Sequence, residues 1–258
     1  MNRSALVARD RDDVSASVAH IVLADAEGHN AFSLAWAEQF ATAVTEAVDD
    51  SDTHVVLISS SGRNFSVGGD LRSLSAAERP AETMAGLVDA MHPALALLHC
   101  GAKPVVAAVR GACAGGALGI VLAADVVVSE PDASFVPGYP RLGLTPDCGV
   151  SAWLPRMVGL RKALSFSLSV DGWSAEQARE AGLVTEVSAA GASLKRALTW
   201  AEGMVGQGQS AGPTRQLLRQ SLDGDPVGRL DVEREAIVRL AGTDRFRTAL
   251  EAFGRLPG

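Results

Sequence analysis

KPVVAAVRGACAGGALGIVLAADVVV, residues 103–128, decides the fold. Lys103-Pro104 punctuates the chain. Val105 to Val109 is an unbroken apolar run rich in β-branched residues, which marks a buried strand. Gly111 to Gly116 reads as a turn. Ala117 to Ala124 is small and apolar enough for a buried helix, and Val126 to Ser129 is a second strand. The stretch resembles a membrane span in hydropathy alone. Arg110, four glycines and Asp125 interrupt it, so a buried strand followed by a buried helix is the better reading.

The same alternation extends outward in both directions. Upstream, Val18 to Leu23 and Val55 to Ser59 are short apolar strands. Between them, Ser33 can cap a helix in which Leu34, Ala37, Phe40, Ala41, Val44 and Val48 recur at helical spacing. Met84 to His99 is predicted as a helix despite Pro93. Downstream of Leu154 the chain turns mostly helical. Ser174 to Gln177 is a capping box, Gly182 can close that helix, and Leu183 to Val187 reads as a short strand. Residues 194–222 and 231–252 supply further helical segments. Strand and helix in repeated alternation predict an α/β fold with parallel strands. Residues 1–195 would form its core and 196–258 a helical C-terminal region.

Composition narrows the function. The 258 residues are 47% hydrophobic but only 5% aromatic, so Ala, Val and Leu must build the interior. A net charge of -7 with no basic block argues against a nucleic-acid partner. Cys100, Cys113 and Cys148 form no disulfide framework, and the scattered histidines form no familiar metal-ligand spacing. MNRSALVARDRDD lacks an apolar signal-peptide core, so a soluble cytoplasmic protein without a membrane anchor is expected.

Two glycine loops follow strands: Phe65-Ser66-Val67-Gly68-Gly69-Asp70-Leu71 and Arg110-Gly111-Ala112-Cys113-Ala114-Gly115-Gly116. Glycine allows close backbone approach. Two N–H groups converging from such loops can hold a developing oxyanion, with a helix N-terminus behind the second. The glycines would equally serve tight turns and helix packing. Neither loop is a phosphate-binding Walker loop, the second lacks the GxGxxG of dinucleotide sites, and no GxSxG occurs.

These stretches, taken with His29-Asn30-Ala31-Phe32 and SFVPGYPRLGLTPDCG at 134–149, resemble the enoyl-CoA hydratase/isomerase (crotonase) family from about Val18 to Val187. The resemblance implies a twisted β/α spiral, an acyl-CoA substrate and assembly as a homotrimer or hexamer. It implies no permanently bound cofactor and no metal, coenzyme A entering only as part of the substrate. The thioester oxygen would sit between the N–H groups of Val67 and Gly116. Ala31, Phe32, Gly68, Gly69, Asp70 and Leu71 would line the path of the CoA. Arg63, Arg72, Arg245 and Arg247 are candidates for its phosphates.

Two departures set the expected chemistry. The hydratase pattern places one glutamate at position 119, which is Gly119 here, and another at position 139, which is Tyr139. Hydration uses two carboxylates as base and acid, and this chain lacks both. The segment Leu144-Thr145-Pro146-Asp147-Cys148-Gly149 instead resembles that of phenylacetate-type isomerases, in which the aspartate is catalytic. Asp147 could move a proton between Cα and Cγ of an enoyl thioester. It could equally cap a helix, since Pro-Asp before an apolar run is an ordinary helix start. Tyr139 would contact the substrate or shape the pocket. A double-bond isomerase is the leading expectation. A hydratase with an atypical acid/base set, an aryl-CoA dehalogenase-like enzyme and a non-catalytic CoA-ester-binding protein are the alternatives. Cys113 and Cys148 read as small buried hydrophobes, and Asp125 as structural.

Overall fold

The computed structural model describes residues 7–10, 16–222 and 226–253. Its main sheet has six strands in the order β1-β2-β3-β4-β6-β9. These are β1 (Val7–Asp10), β2 (Val18–Leu23), β3 (Val55–Ser60), β4 (Val105–Val109), β6 (Val126–Ser129) and β9 (Glu186–Val187). β1 runs antiparallel to β2, and every later pair is parallel. Strands β2, β3, β4 and β6 are buried along their whole lengths, which is why their sequences do not alternate.

Each face of the sheet has its own apolar layer. Val56 and Ile58 of β3 pack into the large core with helices α1 (Leu34–Asp49) and α3 (Pro80–Cys100). Val55 and Leu57, with Val106, Ala108, Val126 and Val128, meet Ala197 and Ala201 of α9 (Ser193–Gly206) on the other face. Ala at i and i+4 gives that helix a flat stripe for close approach to the sheet. The division expected at 195/196 falls inside α9, so this covering layer of the sheet begins before the division and continues past it.

A second sheet turns the repeat into a spiral. β5 (Ala112–Ala114) and β7 (Ser134–Val136) are parallel, and β8 (Trp173–Ser174) closes the edge antiparallel to β7. Residues 111–116, expected as a turn, therefore contain a three-residue strand. Two isolated parallel bridges, Phe32 to Gly69 and Ser66 to Cys113, continue the same ladder through the loops after β2 and β3. Each repeat thus contributes a main-sheet strand, a rung of this second ladder and a helix. This is the β/α spiral that the sequence leads one to expect, and it stacks the loops of successive repeats side by side.

The helices begin and end as their sequences indicate. Ser33 caps α1 by accepting from the Trp36 N–H, and Ser174 and Gln177 form the reciprocal box of α8 (Ala175–Ala181). Gly182, at φ +92°, closes α8 in the left-handed conformation. The strand expected over 183–187 shortens to Glu186–Val187, because Leu183 and Val184 donate their N–H groups to Ala178 in the turn that ends α8. The remaining helices are α2 (Leu71–Ala76), α4 (Ala117–Ala123), α5 (Tyr139–Leu142), α6 (Val150–Val158), α7 (Leu160–Leu168), α10 (Ala211–Arg219), α11 (Pro226–Ala241) and α12 (Asp244–Phe253). Among the described residues no helix is long and apolar enough to cross a membrane.

Asp125 holds the C-terminal region to the core, as its structural reading expects. Its carboxylate accepts from Arg215 at 2.6 Å, from Arg219 at 2.8 Å and from the Val105 N–H at 2.8 Å. Arg215 is buried and also donates to the Gly101 and Leu98 carbonyls at the end of α3. One carboxylate therefore links α10, β4 and the α4–β6 corner.

Candidate active site

Three loops of the spiral meet where the second ladder passes the N-terminus of α4. Asn30 is fully buried at φ +51° and laces two of them. Its side-chain amide donates to the Asn64 and Phe65 carbonyls at 3.1 Å, and its oxygen accepts from the Asp25 N–H at 3.0 Å. Asn tolerates the left-handed region better than most residues and here gains three hydrogen bonds for it. Asn64 extends the lacing to β5 by accepting from the Ala112 N–H at 3.1 Å.

Gly68 and Gly116 lie against each other. A Cβ on Gly68 would stand 2.6 Å from the Ala114 carbonyl oxygen and 3.5 Å from the Gly116 nitrogen, and Gly68 adopts φ +81°. Only glycine permits both the approach and the dihedral. Gly116 is the N-cap of α4 and has no side chain to satisfy the first helical turn. Among the described residues its N–H donates to no backbone carbonyl of the loops, whereas the Val67 N–H donates to the His29 carbonyl at 3.1 Å. The expected pair of oxyanion donors is therefore unequal. The Val67 N–H already has an acceptor, and the Gly116 N–H has none among the described backbone carbonyls outside the helices and strands.

The expected CoA-lining residues divide as well. Ala31 and Gly69 are half-buried, and Leu71 is exposed beside the loop. Phe32 is only 2% exposed and stacks on Trp36 at 4.3 Å, so its side chain belongs to the core. Asp70 is the N-cap of α2, accepting from the Arg72 and Ser73 N–H groups and from the Ser73 hydroxyl. The Ser73 hydroxyl is the main cause holding its carboxyl below the ordinary value. Asp-x-x-Ser at a helix start is a capping signal that sequence reasoning passed over. Of the arginines considered for phosphates, Arg247 pairs locally with Asp244 at 3.0 Å, and Arg245 donates to the Gly206 carbonyl at the end of α9. Arg72 is largely exposed, with Glu27 at 4.0 Å.

The 138–149 segment supplies the carboxylate. Gly149, not Asp147, is the N-cap of α6, and it makes no side-chain capping bond. The helix-cap reading of Asp147 is thereby set aside. Left-handed φ values at Cys148 (+51°) and Gly149 (+77°) turn the chain between Asp147 and the helix. The Asp147 carboxylate instead accepts from the Tyr139 hydroxyl at 2.6 Å. Tyr139 is 7% exposed, and burial together with the Asp147 charge pushes its phenol far up. It is a donor to Asp147 and no base.

Position 119 explains the missing glutamate. Gly119 lies in α4 against the backbone of Cys148. A Cβ there would stand 2.8 Å from the Cys148 Cβ and 3.2 Å from its carbonyl carbon, and closer still to the carbonyl oxygen. The segment carrying Asp147 fills the space that a side chain at position 119 would need. The Cys148 thiol in turn packs next to Gly116. Burial, then the Asp147 charge, pushes that thiol up, and burial does the same for Cys113. Both cysteines are buried neutral thiols, as their sequence reading expects.

One neighbour went unseen in the sequence. His92, on α3, places a ring nitrogen within 4.8 Å of an Asp147 carboxylate oxygen and of the Cys148 sulfur. In the loops that carry Val67 and Asp147, the apolar side chains of Val67, Leu71, Leu142 and Leu144 are exposed. A cavity of about 500 Å³ lies elsewhere, lined by His99, Asp125, Trp153, Arg156, Arg215 and Arg219.

Comparison with known proteins fits this geometry. The family model for enoyl-CoA hydratase/isomerase matches residues 13–253. The chain is 30% identical to the 1,2-epoxyphenylacetyl-CoA isomerase of Escherichia coli (strain K12), covering 93% of each chain. It is 33% identical to the 2,3-dehydroadipyl-CoA hydratase of the same organism, covering 87% of each. The crystal structure of an enoyl-CoA hydratase from Polaromonas sp. JS666 superposes with a TM-score of 0.85 at 28% identity, over 96% of each chain.

Proposed function

The chain belongs to the enoyl-CoA hydratase/isomerase family, and from that premise we propose that it is a double-bond isomerase of an enoyl-CoA thioester with Asp147 as its acid/base group. The observation that carries this reading is the exchange of space at Gly119. Where the hydratase pattern has a glutamate, the backbone of Cys148 fills the volume, and the same segment presents Asp147. At the other glutamate position Tyr139 donates to Asp147 and so fixes its orientation. One carboxylate has been kept, in a new place, with a partner that positions it.

A single carboxylate suffices for a 1,3-proton shift. Asp147 removes a proton from Cα of the 3-enoyl thioester, and the electron pair moves onto the thioester oxygen. The Gly116 N–H, at the N-terminus of α4, stabilises the resulting dienolate, with the Val67 N–H joining by sharing its bond to His29. Asp147 then returns a proton to Cγ, and the 2-enoyl thioester forms. No water is added and no cofactor is consumed. Coenzyme A enters with the substrate, along the loop around Ala31, Gly69 and Leu71. Assembly as a trimer or a pair of trimers is part of the proposal. It is supported by Leu218, Leu230, Ile237, Val238 and Leu250, apolar side chains left more than half exposed on α10 to α12.

The test is mass spectrometry of 2-enoyl-, 3-enoyl- and aryl-acetyl-derived CoA thioesters incubated with the protein in D₂O. A shifted double bond with label and no added water is expected, and Asp147→Asn should abolish it. A mass gain of water would establish hydration and overturn the assignment. Turnover that survives Asp147→Asn would remove Asp147 from the mechanism.

A further inference from the structure

Asp147 is half-buried, Cys148 beside it is buried, and His92 is exposed. Their ligand atoms all lie within 4.8 Å of one another, so the three form one compact cluster whose histidine reaches solvent. A water making two hydrogen bonds of about 2.8 Å each spans a gap of that size. On α3 the core face consists of Leu87, Met91, Ala94, Leu95 and Leu98, and His92 lies outside it. Pro93 follows it and removes one helical donor, so this turn of α3 is poorly chosen for helix stability alone.

We propose that His92 exchanges the proton held by Asp147 with solvent, making the site a carboxylate–imidazole relay. The inference rests on the isomerase reading of Asp147. Once Asp147 has taken the proton from Cα, that proton has two fates. It is returned directly to Cγ, which transfers the substrate's own proton. Alternatively it passes through one water to a neutral ring nitrogen of His92. The imidazolium formed gives a proton to bulk solvent, and a solvent proton comes back along the same path to Asp147 and then to Cγ. Either route leaves the enzyme in its starting protonation state, and the product differs only in the origin of its Cγ proton. His92 acts through Asp147 and is a positioning residue for the proton, not a group that touches the reacting carbons.

The test uses a 3-enoyl-CoA thioester deuterated at Cα, incubated in H₂O, with the product's Cγ label read by mass spectrometry. The wild-type protein is expected to wash out most of the label. His92→Gln should retain severalfold more of it, and free imidazole added to His92→Ala should restore the washout. The readout is a ratio within each turnover, so partial unfolding of a variant does not imitate it. Equal retention in wild type and His92→Gln, or no response to imidazole, would overturn the relay while leaving the isomerase assignment standing. Isomerisation that persists in Asp147→Asn would instead defeat the isomerase assignment itself.

Discussion

Gly119→Ala separates two physical accounts of the same glycine. In an exposed helix interior the change should stabilise the protein by about 1 kcal/mol, because alanine loses less backbone entropy and is the better helix former. Gly119 is fully enclosed in α4, however, and the added methyl would lie 2.8 Å from the Cys148 Cβ and 3.2 Å from its carbonyl carbon. Ordinary carbon–carbon contact begins near ~3.5 Å, so something must move by more than half an ångström. The obstructing atoms are mostly backbone and cannot swing aside as a flexible side chain could. Overpacking of this kind costs roughly 1–3 kcal/mol or more. The upper part of that range outweighs the helical gain, and we expect a net loss of about 1–2 kcal/mol. Function should suffer more, because the displaced segment carries Asp147. A misplacement of about 1 Å at a catalytic group is worth on the order of 10²-fold in rate. Urea denaturation and kcat/KM for isomerisation, measured on the same preparation, report both effects. A variant more stable than wild type with undiminished turnover would refute the packing argument. Hydration gained by Gly119→Glu would refute its functional corollary.

Tyr139→Phe keeps the ring and deletes the hydroxyl 2.6 Å from Asp147. A hydrogen bond to a charged group is worth about 1.5–3 kcal/mol, so kcat should fall by roughly 10- to 100-fold with KM little changed. Steady-state kinetics checks both. Asp125→Ala leaves the buried Arg215 guanidinium without its carboxylate, a change that typically costs about 3–5 kcal/mol. Chemical denaturation should show it. His99 gives a pH signature. Burial first, then the charges of Arg219 and Arg215, lower its pKa from 6.5 to about 4. Between those values the unfolded chain binds a proton that the folded chain refuses, so stability is full above about pH 6.5 and falls as pH drops toward about 4. Denaturation midpoints across this window should flatten in His99→Asn.

What was legible in the sequence was whatever a local pattern determines. Val105 to Val109 and Val126 to Ser129 are strands because continuous apolar β-branched runs have few other soluble uses. Ser33 and the Ser174–Gln177 box are caps because the side chain that bonds the helix is itself in the motif. The three residues of β5 escaped because Gly111 and Gly115 flank them and three residues show no period. They are strand only through the neighbouring repeats, whose rungs pair with them. The second ladder is thus a tertiary object, and no window of the chain contains it. The capping role of Asp70 escaped for the opposite reason. Its loop matches a family pattern, which draws attention away from the local signal with Ser73, whose N–H and hydroxyl both donate to the carboxylate.

Asp147 shows where the two kinds of information meet. Pro-Asp before Val150 to Leu154 satisfies every local criterion for a helix cap. What prevents capping is the left-handed turn at Cys148 and Gly149, which separates the carboxylate from the helix N-terminus. A non-glycine residue at φ +51° is held in a sparsely populated conformation, at a cost on the order of 1–3 kcal/mol that surrounding contacts must offset. Those contacts are the packing of Cys148 against Gly116 and Gly119 and the Tyr139 bond to Asp147. Gly119, Tyr139, Asp147 and Cys148 therefore make sense only as a set. The absent glutamate admits the strained turn, the turn releases the aspartate from capping, and the tyrosine aims it. Read singly, Gly119 and Tyr139 are lost catalytic groups. Read together, they are the conditions under which Asp147 can be one.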